Sequence, residues 1–116
     1  MAEKGLKNMN IDKATQEKIV QLQLAEQNLT NFALQRQQIQ AQIAEVENAL
    51  AELKNTDKAF KIIGSVMIQA DKQELQKELQ DKKELLELRV KSIEKQESKL
   101  KEKVQQLQQE VLKKIQ

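Results

Sequence analysis

The sequence has neither cysteine nor histidine, and these two absences remove much of protein chemistry. Without cysteine there are no disulfides and no thiol nucleophile, and without both residues the commonest transition-metal ligands are missing. Only two glycines occur, so a glycine-rich phosphate-binding loop is missing as well. The carboxylates are spread along helical faces. We therefore expect no enzyme activity, no cofactor and no metal site, and a chain without cysteine fits a cytoplasmic location.

Long apolar runs are also missing. No stretch approaches the roughly 18 apolar residues that a membrane span needs, and no signal-peptide pattern opens the chain. The net charge is only +2, and aromatic residues make up 2% of the sequence. A basic patch with interleaved aromatics, which is typical of nucleic-acid-binding proteins, is therefore absent. We expect neither a membrane nor a nucleic acid as a partner.

Glutamine, glutamate, lysine and leucine dominate the 116 residues, charged residues make up 33%, and proline is absent. These abundant residues lose little rotamer freedom in a helix, so the composition indicates long helices or a coiled coil. Disorder is the alternative for a charged chain that is poor in aromatics. The periodic spacing of the apolar residues argues against disorder.

Two heptad patterns flank a short central segment. The first pattern occupies positions a and d with Leu22, Ala25, Leu29, Phe32, Arg36, Ile39, Ile43, Val46, Leu50 and Leu53. The second pattern consists of Leu79, Leu86, Val90, Ile93, Leu100, Val104, Leu107 and Val111. They predict a frayed start over residues 1–11, helices over 12–55 and 72–115, and a single domain over 1–116. Asp12 and Asp71 are the candidate N-cap residues.

The central segment over residues 58–70 is the only run of β-branched and aromatic residues, and it predicts a β-hairpin. Gly64 and Ser65 form the two-residue loop, with glycine at the first central position as a type II′ turn requires. The apolar residues on one face are Phe60, Ile62 and Met67, and those on the other are Ile63, Val66 and Ile68. An isolated hairpin is marginally stable in water. We therefore expect this one to pair with copies or relatives of itself.

A chain that folds back about this turn brings the two heptad patterns together. In a chain that folds back on itself, the residue numbers of each facing pair add up to the same value. Leu29 and Leu100 meet this condition together with Ile63 and Val66 of the hairpin, and so do Leu50 and Leu79. The sequence therefore predicts an intrachain antiparallel coiled coil, with a shift by one heptad left open. Arg36 and Glu97 fall at neighbouring seam positions, where they either pair with each other or extend into solvent.

Several apolar residues lie off the seam at the end of the coiled coil where both chain termini are expected. They are Ile19, Val20, Leu24, Leu112 and Ile115, and Leu6, Met9 and Ile11 could join them. An exposed apolar cluster is typical of a surface that binds apolar segments of other proteins. Single exposed leucines are also ordinary on soluble proteins, and chain ends fray, so both interpretations stay open. Leu34, Leu85 and Leu88 lie off the seam elsewhere.

The segment Phe60-Lys61-Ile62-Ile63-Gly64-Ser65-Val66-Met67-Ile68, placed between matched helices, resembles the hairpin of beta-class prefoldin subunits. The resemblance extends from about Ile19 to the end of the chain. Alpha-class subunits have two hairpins, and this chain has room for one. Phe60 stands where the family usually has tyrosine, and Ser65 where proline is common. Neither change disturbs an apolar strand or the glycine turn.

The resemblance implies a mainly α fold, a long antiparallel two-helix coiled coil joined by a single β-hairpin that assembles into an oligomeric β-barrel. It implies a hexamer of two alpha-class and four beta-class subunits, acting as an ATP-independent chaperone in the cytoplasm. Such complexes hold unfolded client proteins and deliver them to a group II chaperonin. The resemblance implies that the hairpin mediates assembly. Client binding is expected at the off-seam terminal residues, which are assigned from their position alone. A scaffolding coiled coil that only oligomerises is the alternative function.

Overall fold

The structure, a computed structural model, describes residues 12–115. Its elements are helix α1 (Lys13–Lys54), strand β1 (Ala59–Ile63), strand β2 (Val66–Ala70) and helix α2 (Lys72–Ile115). The prediction of two long helices joined by one β-hairpin is confirmed. The predicted frayed segment 1–11 lies outside the described residues. Within residues 12–115, neither helix has the length and apolarity needed to cross a lipid bilayer.

Helix α1 is one residue shorter at each end than the sequence predicts. At its start, Asp12 is the N-cap: its Oδ1 accepts a hydrogen bond from the backbone N–H of Thr15 at 2.7 Å. At its end, the N–H of Asn55 donates to the carbonyl of Glu52, so the last turn tightens to a three-residue repeat and the helix stops. Asp71 caps α2, but through the N–H of Gln73 at 3.3 Å and not through the third helical residue that a capping box uses.

The cap of α1 makes the stability of the fold depend on pH. The hydroxyl and the backbone N–H of Thr15 hold the pKa of Asp12 below its ordinary value, and the ammonium groups of Lys114 and Lys18 act in the same direction. The ionised carboxylate therefore stabilises the fold above the unfolded-state pKa, and this contribution is lost as pH falls through the lower folded-state pKa.

Asp12→Asn should remove this pH dependence, because an amide oxygen still caps the helix but does not titrate. We expect the wild type to have the higher melting temperature at pH 7, and the difference to shrink below about pH 4. Thermal unfolding of both chains between neutral and strongly acidic pH measures this difference. A difference that stays constant over that range would show that the charge of Asp12 plays no part.

The hairpin is a two-stranded antiparallel sheet whose register pairs Ile62 with Met67 and Ile63 with Val66. Gly64 has a φ of 61°, a conformation that glycine adopts without the steric penalty of a Cβ atom. Successive side chains of a strand point to opposite faces. The register therefore confirms the two predicted faces, with Phe60 on the face of Ile62 and Met67.

The chain divides into two compact units. The hairpin unit is Arg36–Ser92, and its helical seam buries Val46, Leu53, Leu86 and Val90. Within it, Glu47, late in α1, pairs with Lys83, early in α2, over 3.5 Å between Oε1 and Nζ. The two helices of this unit are therefore antiparallel, in agreement with the predicted register.

The described part of the terminal unit consists of residues 12–35 and 93–115. Its seam buries Ala25, Val104, Leu107 and Val111. Lys18 Nζ lies 3.2 Å from Glu110 Oε2, so the start of α1 faces the end of α2. Glu97, in this unit, is only 6% exposed, which contradicts the alternative in which its side chain extends into solvent.

Candidate functional site

The hairpin exposes all of its large apolar side chains. These residues, which we call the hairpin surface, are Phe60, Ile62, Ile63, Val66, Met67 and Ile68. Ile62 is the most exposed of them, at 69%. In the part of the chain that the structure describes, the sheet has only two strands, so the outer edge of each lacks a neighbouring strand. Exposed apolar side chains and unpaired strand edges are both features of a surface that another chain covers.

The two faces of the hairpin differ at the end where the strands join the helices. Ala59 is buried and Ala70 half-buried, and both share a face with Ile63 and Val66. On the opposite face, none of the strand residues is buried. There Phe60, Ile62 and Met67 are all exposed.

Lys61 lies on the partly covered face, which is the face of Ala59 and Ile63, and it forms an ion pair with a residue of α2. Its Nζ donates to both carboxylate oxygens of Glu78, at 3.1 Å to Oε1 and 2.9 Å to Oε2. The sequence did not reveal this pair, because the two residues are 17 positions apart in different kinds of element. The signal that could have pointed to it is that Lys61 is the one charged residue in the two strand segments.

The second group of predicted site residues lies in the terminal unit. We call Ile19, Val20, Leu24, Leu112 and Ile115 the terminal apolar residues. Four of them are exposed, led by Val20 at 62%, whereas Ile19 is half-buried. Val20 and Leu24 are four residues apart in α1 and so share one face of the helix. The predicted residues Leu6, Met9 and Ile11 lie outside the described residues.

The terminal apolar residues have different surroundings. Leu112 lines a shallow apolar groove with the seam residues Leu22 and Val111. Seam residues were predicted only as core, so this contribution to the surface was missed. Val20 borders a depression whose other walls are polar, formed among others by Lys13 and Glu17.

Neither the hairpin surface nor the terminal apolar residues form a catalytic arrangement. In residues 12–115, no three acidic side chains come together in a way that could hold a metal ion. Exposed apolar area is instead what both groups have in common. Such area supports association with other polypeptides through the hydrophobic effect.

Comparison with known proteins gives a consistent result. A family model described as "Prefoldin subunit" matches residues 16–116. The prefoldin subunit beta of Archaeoglobus fulgidus is 35% identical over 96 residues, which cover 80% of this chain and 83% of the relative. That of Thermococcus onnurineus is 32% identical over 105 residues, covering 88% and 90%. The crystal structure of the prefoldin beta subunit from Thermococcus strain KS-1 superposes with a TM-score of 0.87 at 29% identity, covering 93% of this chain and 97% of that one.

Proposed function

Because this chain belongs to the prefoldin family, in its beta class, we propose that it is one subunit of an ATP-independent chaperone. In this proposal four copies assemble with two alpha-class subunits, and their hairpins form a β-barrel. The complex binds unfolded client proteins in the cytoplasm and delivers them to a group II chaperonin.

The main observation that supports the proposed assembly is the exposure of the hairpin surface. Six large apolar side chains are exposed on two short strands, and within residues 12–115 no third strand pairs with the outer edges. Burying this surface against sister hairpins gains about 25 cal/mol per Å² of apolar area. Pairing the strand edges satisfies backbone groups at the same time. A monomer gains neither.

Client binding is assigned to the terminal apolar residues. Val20, Leu24 and Leu112 are more than half exposed, so an apolar segment of an unfolded protein reaches them without any rearrangement of the helices. A contact of this size is weak when one subunit makes it. Several subunits in one complex raise the effective concentration of such contacts and hold the client by avidity. Release then requires only the loss of a few weak contacts, so the proposed chaperone works without a nucleotide.

A scaffolding coiled coil that only oligomerises is the second candidate function. The same hairpin surface favours it, because assembly is common to both. The two differ in what the assembled complex does to an unfolded protein. In the deciding experiment, the chain is mixed with an alpha-class prefoldin subunit, and the complex is added to a chemically denatured test protein on dilution. Reduced light scattering supports the chaperone, and unchanged aggregation by a fully assembled complex supports the scaffold.

A further inference from the structure

Lys61 and Glu78 form a bridge between the hairpin and α2. From its geometry we infer that this ion pair is a positioning device, which sets the angle of the hairpin on α2 and so presents the face of Phe60, Ile62 and Met67 to a neighbouring subunit. The inference deepens the proposed function and rests on it. Lys61 and Glu78 are positioning residues that act through the hairpin surface.

The connection from the hairpin to α2 is very short. A single residue, Asp71, joins β2 to α2, and its carboxylate is engaged by the N–H of Gln73. Strand β1 is not directly connected to α2. Lys61 is in the middle of β1, opposite Ile68 of β2. The ion pair therefore gives the hairpin a second attachment to α2, made through the strand that lacks a covalent one.

Without the ion pair, the hairpin is held by two linkers, residues 55–58 between α1 and β1 and Asp71 between β2 and α2. The backbone dihedrals of these linkers allow the hairpin to tilt, and a further attachment to α2 restricts that motion. The bond from Lys61 to both oxygens of Glu78 is made on the partly covered face, next to the buried Ala59. This leaves the other face directed away from the ion pair. A surface held in its bound orientation loses less conformational freedom on association, and this strengthens binding.

The ion pair itself has little effect on the stability of a single chain. The side chains of Lys61 and Glu78 are 42% and 56% exposed, and exposed pairs contribute little to folding. Its effect should therefore appear in assembly, where every subunit contributes its own pair. If the ion pair only stabilised the folded chain, its removal would weaken folding and assembly together, or would leave both unchanged.

Glu78→Gln tests the inference. The amide still accepts a hydrogen bond but carries no charge, so helicity and melting temperature should stay those of the wild type. We expect a rise in the protein concentration at which half of the chains are assembled with an alpha-class subunit. The rise should be about fivefold for each hairpin in the complex that carries the substitution. Sedimentation over a dilution series measures this concentration. The reversed pair, Lys61→Glu with Glu78→Lys, should restore assembly to near the wild-type value.

A matched control is available in the terminal unit. Glu110→Gln breaks a helix-to-helix ion pair of similar exposure and should leave half-assembly unchanged. Orientation is measured directly with spin labels on cysteines placed at Ser65 and Glu84, because the chain has no cysteine of its own. The distance distribution should broaden in Glu78→Gln and narrow again in the reversed pair.

The inference is overturned if Glu78→Gln assembles like the wild type, or if the reversed pair is as weak as the single substitution. Both results leave the proposed function standing, because the wild-type chain assembles in each. If instead the wild type does not assemble with the alpha-class subunit, the proposed function fails and the inference fails with it.

Discussion

Ile62→Asp should prevent the chain from entering a larger complex while both helices remain folded. Ile62 is 69% exposed in the single chain, so an aspartate there is solvated and costs little. In the proposed assembly the same position is covered by a neighbouring hairpin, and burying an unpaired carboxylate is costly. Even about 3 kcal/mol for each hairpin weakens association more than a hundredfold. Val66→Asp, on the other face, should act in the same way.

Light scattering gives the mass of the complex, and circular dichroism gives the helix content. Leu34→Asp is the matched control, since Leu34 is an exposed apolar residue on α1 outside the hairpin. It should leave the mass unchanged. An unchanged mass for both hairpin variants would show that the hairpin surface is not the site of assembly.

The second large effect is expected from the terminal apolar residues. Replacing Val20, Leu24 and Leu112 together by serine should abolish most of the protection of a denatured client, with the oligomer intact. Each side chain is exposed, so the helices lose little core packing. A client loses about 25 cal/mol for each Å² of apolar contact, and the loss is repeated on every copy in the complex. Ile19 is left unchanged, because it is half-buried and its loss would destabilise the fold.

Three exposed leucines elsewhere provide the control. Leu34, Leu85 and Leu88 are replaced by serine in one variant, which removes a similar exposed apolar area. Aggregation of the client is followed by scattering at equal concentrations of assembled complex. The control should protect like the wild type. Equal losses in the two variants would mean that client binding is not confined to the terminal apolar residues.

The helices could be predicted from the sequence because their pattern is redundant. Many seam positions repeat with one period, and the seam residues Ala25, Val46, Leu86 and Val104 are all buried in the structure. A single exception at a seam position does not erase the pattern, as Arg36 shows. The ends of α1 were less well predicted, since a helix end depends on one or two local hydrogen bonds.

The hairpin faces followed from the two-residue period of a strand and from the glycine at the turn. What the sequence could not give is the contact between the hairpin and α2. Lys61 and Glu78 meet only after both elements are placed, and no periodicity relates them. The sequence also gave no sign that the two faces differ at the end where the strands join the helices, because that difference comes from packing around Ala59.

The terminal apolar residues were predicted from their position in the sequence, and the structure shows how far each one is exposed. Val20, Leu24, Leu112 and Ile115 are exposed as expected, whereas Ile19 is half-buried and the seam residue Leu22 lines the groove beside Leu112. A heptad assigns each residue to one position around a helix. It does not say how far a neighbouring helix covers the positions next to the seam.

The mass of the complex that the wild-type chain forms with an alpha-class prefoldin subunit tests the central claim most directly. Native mass spectrometry of the mixed subunits should give one species with two alpha-class chains and four copies of this chain, and the Ile62→Asp chain should be missing from it. If both wild-type subunits stay separate, or if Ile62→Asp enters the complex as readily as the wild type, assembly through the hairpin surface is contradicted.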